Sequence, residues 1–99
     1  MKTLSKIVED FRLESPNIRA GEEDDWTWTN DAINLMSQGK LEEAETLLKK
    51  LILSMPDHHD GYEYLAELYL RMGNPDAIPL IRKATQLAQG FYNEDTLDY

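Results

Sequence analysis

The chain has 99 residues, of which 41% are hydrophobic and 29% charged, a composition that fits one small packed domain rather than a disordered polymer. Nineteen acids against ten bases give a net charge of −9, which repels phosphate backbones and anionic lipid, so neither nucleic acid nor a membrane surface is expected as a partner. There is no cysteine, which excludes a disulfide framework, a thiolate zinc site and a Cys nucleophile.

At the N-terminus, MKTLSKIVEDFRLES sets Leu4, Ile7, Val8 and Phe11 at helical spacing and predicts an amphipathic helix over residues 1–15 that fades before Ser15-Pro16. Glu9 and Asp10 interrupt the apolar run a signal peptide needs, and no later segment approaches membrane-spanning length; the expectation is a soluble, cytoplasmic protein. Residues 16–25 read as an acidic linker containing Pro16, Gly21 and the run Glu22 to Asp25, with Asp24 or Asp25 as the cap of the next helix.

From Trp26 onward four patterns of period 3.6 follow, separated by Gly39-Lys40, by Pro56 to Asp60 and by Gly73-Asn74-Pro75. Their apolar positions are Trp28, Ala32, Leu35 and Met36; Leu41, Ala44, Leu47, Leu48, Leu51 and Ile52; Tyr62, Leu65, Ala66, Tyr69 and Met72; and Ala77, Leu80, Ile81, Ala84, Leu87 and Ala88. The one strand-like alternation, Trp26 to Thr29, is too short to compete.

The third pattern repeats the first. Trp28 matches Tyr62, Ala32 matches Ala66, Leu35 matches Tyr69 and Gly39 matches Gly73, each 34 residues on. In the second halves Ala44 matches Ala77 and Leu51 matches Ala84 at an offset of 33, so one residue is missing after Gly73, in a turn that tolerates it. This resembles the tetratricopeptide repeat, a helix-turn-helix unit with an aromatic opener, small residues where helices touch and a closing proline.

The openers here are Trp28 and Tyr62, the close-approach residues Ala32, Ala44, Ala66 and Ala77, and Pro56 closes the first unit. The resemblance implies an all-α fold of antiparallel helix-turn-helix repeats, an α-solenoid fragment with an added N-terminal helix. Its units are residues 26–58 and 59–89, with residues 90–99 a C-terminal tail or cap.

Asp31 departs from the family pattern, no proline closes the second unit, and Pro79 inside the fourth pattern requires a late helix start or a bend. Two units are fewer than the usual three, so both ends need covering. The N-terminal helix and the tail FYNEDTLDY are the segments available for it.

Chemistry-bearing residues are few. Asp57-His58-His59-Asp60 places two histidines between two carboxylates, but adjacent helical residues point about 100° apart and do not readily grip one ion. The same residues suit a helix start, with Asp57 or His58 as cap, Asp60 near the positive end and His59 paired with Glu63 at i, i+4. No serine elbow or triad is readable, so neither an enzyme nor a cofactor or metal is expected.

The family's concave groove is lined by the first helix of each unit. Carried over by register, the lining is Trp26, Thr29, Ile33, Met36 and Ser37 in the first unit and Asp60, Glu63, Glu67, Leu70 and Arg71 in the second. A basic clamp for a carboxylate is missing there, since Thr29 and Ile33 stand at its positions. The expected function is a protein-protein interaction module that binds a peptide or helix with an apolar anchor and a basic flank. The alternative is a small homo-oligomer in which the groove is self-occupied.

Overall fold

The computed structural model describes residues 2–19 and 27–96, with side chains described as far as Gln89. Five helices follow one another: α1 (Leu4–Glu14), α2 (Thr27–Ser37), α3 (Leu41–Ser54), α4 (His59–Met72) and α5 (Ala77–Thr96). Among the described residues there is no strand, as the helical periodicity predicts.

The repeat is written into the backbone as well as the side chains. Gly39 and Gly73 both adopt positive φ, 77° and 72°, the left-handed conformation that ends a helix at no steric cost to glycine. The N–H of Lys40 donates to the Leu35 carbonyl at 2.9 Å, and that of Asn74 to the Tyr69 carbonyl at 2.8 Å. Gly39 donates to Met36 at 3.0 Å, and Gly73 to Leu70 at 3.2 Å. Donors and acceptors alike are 34 positions apart, so α2–α3 and α4–α5 are two copies of one helical hairpin.

Local capping follows the sequence closely. Thr3 Oγ1 accepts from the Lys6 N–H at 3.3 Å and starts α1, which stops at Ser15 ahead of Pro16. Lys40 offers α3 no side-chain cap, and Glu42 and Glu43 instead place negative charge at its positive end. Asn74 organises the start of α5, its Oδ1 accepting from the Asp76 N–H at 2.9 Å. Because α5 begins at Ala77, Pro79 lies in the first turn, where no intrahelical bond is lost. The helix then runs through Gly90 to Thr96, so most of the expected tail continues α5.

The core is continuous. Ile7 and Phe11 of α1, Ala32 and Met36 of α2, Leu48 and Ile52 of α3, Leu65 and Ala66 of α4, and Ala77 and Leu80 of α5 are all buried in it. Each buried Leu or Ile stabilises the fold by roughly 1.5–3 kcal/mol. The expected close-approach alanines meet that description: Ala32, Ala44 and Ala77 are 0% exposed and Ala66 1%.

The backbone of α1 packs against α3 and α5 rather than α2 or α4, although its side chains share clefts with Tyr62 and Tyr69 of α4. It therefore lies along the side formed by the second helices of the two units and leaves the α2–α4 side uncovered. Lys49 of α3 holds it there, its Nζ 2.9 Å from Glu14, 3.8 Å from Glu45 and 5.2 Å above the Phe11 ring.

The two units approach closely at Gly61. A methyl group there would sit 2.9 Å from Ile52 Cγ1 and 3.4 Å from the Ile52 backbone nitrogen, and Ile52 is fully buried with no room to yield. Alanine is the better helix former, yet overpacking outweighs that gain of about 1 kcal/mol. Gly61→Ala is expected to lower unfolding stability by about 1 kcal/mol in urea titration; a variant as stable as the parent would show that the α3–α4 contact adapts.

Candidate functional site

On α4, Tyr62, Leu65, Ala66 and Tyr69 face the core. Asp60, Glu63 and Glu67 fall on another face at i, i+3 and i+7, with Glu63 and Glu67 exposed and Asp60 half-buried. Their charges converge on the Tyr64 phenol, which is pushed above its ordinary range first by burial and then by the carboxylates of Asp60, Glu63 and Glu67. Tyr64 thus joins this stripe although the repeat register does not assign it there. Its spacing from Asp60, one helical turn, is the signal for it.

Some of the stripe's charge is answered locally. Glu67 meets Arg71 at 3.3 Å, an exposed pair that contributes about 1 kcal/mol at most. His59 Nδ1 lies 3.3 Å from both Asp60 Oδ1 and Glu63 Oε2, as the i, i+4 spacing predicts for the second of these. Leu70, one turn beyond Glu67, is 60% exposed and places an apolar surface beside the carboxylates.

Across from α4, the residues that register assigns to α2 divide into two sets. Ile33 is half-buried and Ser37 exposed, its hydroxyl donating to the Ile33 carbonyl at 3.1 Å. Thr29 and Met36 are only 4% and 7% exposed. Both stand one turn from Ala32, which is fully buried, and so share its inward face rather than the solvent face. The Thr29 hydroxyl finds no hydrogen-bond partner among the described residues. Trp26, and the capping role of Asp24 or Asp25, lie outside the described residues.

The histidine corner resolves as the start of α4. His58 is extended, φ −104° and ψ 138°, and its Nδ1 accepts from the Asp60 N–H at 3.2 Å, making it the N-cap. Asp60 then stands in the first turn, where its charge complements the helix dipole. Because His58 is not helical, the divergence of about 100° expected for adjacent helical residues does not apply, and the two rings stack with centroids 4.9 Å apart.

As a result, donor atoms of His58, His59 and Asp60 lie within 4.8 Å of one another. A tetrahedral ion bonded at about 2.1 Å needs donors roughly 3.4 Å apart. His59 Nδ1 and Asp60 Oδ1 are that close, at 3.3 Å, while His58 Nδ1 is already engaged by the cap.

The chain from Leu35 to Ala77, which holds the end of α2, all of α3 and α4 and the turn into α5, matches the family model described as tetratricopeptide repeat. This segment, somewhat under half of the chain, is similar to a tetratricopeptide repeat. Neither the curated proteins nor the solved structures gave a match. Tetratricopeptide repeats are in general non-enzymatic scaffolds for contacts between proteins, and that is the class of function their presence indicates here. Among the described residues no helix is long and apolar enough to cross a membrane.

The repeat's opening aromatic also locks the corner beneath the acidic stripe. The Tyr62 hydroxyl donates to the Pro56 carbonyl at 2.7 Å, and burial, with a smaller contribution from Asp57, pushes its phenol up to about 12. A raised phenol favours the neutral form in the folded state, so this stabilisation is complete below the unfolded value of 10.0 and is lost as pH rises from there through about 12. Tyr62→Phe is expected to cost about 1 kcal/mol at neutral pH and to lose less stability than the parent on going to about pH 11. Urea titrations at the two pH values check this, and parallel losses in both proteins would assign the alkaline transition to another group.

Proposed function

We propose that this tetratricopeptide module binds a peptide or helix that carries an apolar anchor flanked by Lys or Arg, in the groove on the α2–α4 side. The observation that carries the reading is the placement of Asp60, Glu63 and Glu67 on one face of α4, with Glu63 and Glu67 exposed. A basic flank laid along this stripe replaces its unfavourable self-repulsion with attraction. Leu70 and Ile33 offer apolar surface, and Arg71, paired with Glu67, bounds the acidic stretch. Ser37 adds a hydroxyl at the rim, and Trp26 is the natural anchor at the first unit's end. Thr29 and Met36 support the groove from beneath and do not contact the ligand.

A second reading, self-association, is supported by Ile78 and Ile81, which are 42% and 39% exposed on α5 in a chain of only two units. Such faces are what a neighbouring unit covers in longer arrays, and a second copy of the chain supplies the same apolar surface.

Titration of a fluorescein-labelled peptide with a Leu-Phe centre and Lys flanks tests the first reading by anisotropy. Glu63→Lys with Glu67→Lys is expected to weaken binding by roughly tenfold or more, and added salt to weaken it further. Unchanged affinity in the charge-reversed protein sinks the proposal. Sedimentation over a concentration series tests the second reading, and a monomer throughout excludes it.

A further inference from the structure

We propose that the cleft between the N-terminus of α1 and the outer face of α5 binds an acidic peptide segment of a partner protein. The cleft has a volume of about 510 Å³ and is lined by Lys2, Thr3 and Leu4 from one side and Pro79, Arg82, Lys83 and Gln86 from the other. Three of the chain's ten bases border it and, among the described residues, no acid does, although acids outnumber bases nearly two to one overall. Chance placement on a surface of this charge would line such a cleft mainly with carboxylates.

The three cations are not equivalent. Lys2 is already paired with Asp10 at 3.1 Å, an acid it shares with Lys6 at 3.3 Å. Arg82 and Lys83 make no ion pair among the described residues. Glu9 and Asp57 border an adjoining cleft that Lys83 also reaches, but neither pairs with it. Arg82, one turn beyond Pro79 on α5, has the planar fork that grips a carboxylate through two hydrogen bonds. Leu4 and Pro79 supply an apolar floor between the charges. A segment alternating carboxylates with a small apolar residue matches this lining; a bare anion would leave the floor unused.

The occupant is a segment of another molecule, because the described acids nearest the cleft leave Arg82 and Lys83 open: Asp10 pairs with Lys2 and Lys6, and Glu9 and Asp57 at the adjoining cleft pair with neither Arg82 nor Lys83.

The test is anisotropy with a fluorescein-labelled peptide alternating Glu and Leu, against the same peptide with Gln for Glu, using the full chain. The Glu peptide is expected to bind at least about tenfold more tightly than the Gln peptide. Arg82→Glu with Lys83→Glu should weaken it by about tenfold or more, the milder Arg82→Gln with Lys83→Gln by less, and Glu63→Lys with Glu67→Lys should not weaken it. Circular dichroism verifies that each variant is folded, and the exposure of Arg82 favours this.

Equal binding of the two peptides, no binding, or binding indifferent to Arg82 and Lys83 overturns the proposal. Displacement of the peptide by low-millimolar inorganic phosphate would mean a simple anion site, and concentration-dependent sedimentation abolished by the Arg82 and Lys83 reversals would mean a contact between copies. Either result also overturns it. The groove reading stands or falls separately, because its ligand and its variants are different.

Discussion

Two repeats cannot bury all the apolar surface they create, and the rest of the structure depends on how Ile7 and Phe11 deal with that shortfall. These two side chains, 1% and 5% exposed, enter the core along the side formed by α3 and α5. A third repeat would extend the solenoid end to end; a single helix laid along its side instead ties the two second helices together without lengthening the array. Lys49 fixes the arrangement because it serves both helices at once, pairing with Glu14 of α1 and Glu45 of α3 while its ammonium covers the Phe11 ring. At 17% side-chain exposure that lysine is better shielded from solvent than the other pairs, so its contribution is screened less.

What α1 covers also decides what it leaves open. Since its backbone packs along α3 and α5, α4 keeps a solvent face on which Glu63 and Glu67 are exposed. Its own N-terminus comes to rest against α5, which creates the cation-lined cleft at a seam that does not exist in the bare repeats. One packing decision therefore sets two surfaces of opposite charge, the first by omission and the second by contact.

The repeat was legible in the sequence because its spacing is enforced by backbone geometry. Glycine at positions 39 and 73 reports the left-handed ends of α2 and α4, and alanine at 32, 44, 66 and 77 reports where helices touch, so the 34-residue offset translates directly into hydrogen bonds. The helix ends ahead of Pro16 and Pro56, and the late start that puts Pro79 in the first turn of α5, were equally readable. Other features were not. An amphipathic pattern names the face of α1 that is buried but not the helices it is buried against. Register alone put Thr29 and Met36 on the groove, whereas the inward direction of α2 is set by Ala32 and takes both with it.

The sequence offered Asp57 or His58 as the cap of α4, and His58 takes the role; what no side-chain pattern reveals is that its extended backbone stacks it on His59. The cleft combines Lys2 and Leu4 with residues nearly eighty positions later; its only local trace is the stripe Pro79, Arg82, Lys83 and Gln86, one face of α5 with two bases in an acidic chain.

The net charge of −9 acts differently on the two surfaces. Beyond a Debye length, about 8 Å at physiological salt, a ligand meets little of the field, and inside it the nearest groups dominate. A basic segment of the kind proposed would feel attraction at both ranges on approaching the acids of α4, so salt would slow its association. An acidic segment approaching the cleft is opposed by the molecule as a whole and attracted only at close quarters by Arg82 and Lys83. Salt weakens the repulsion and the attraction together, so its association rate responds less to ionic strength than that of a basic ligand. The two surfaces are thus separable by kinetics as well as by mutation, because the same global charge assists encounter at one and resists it at the other.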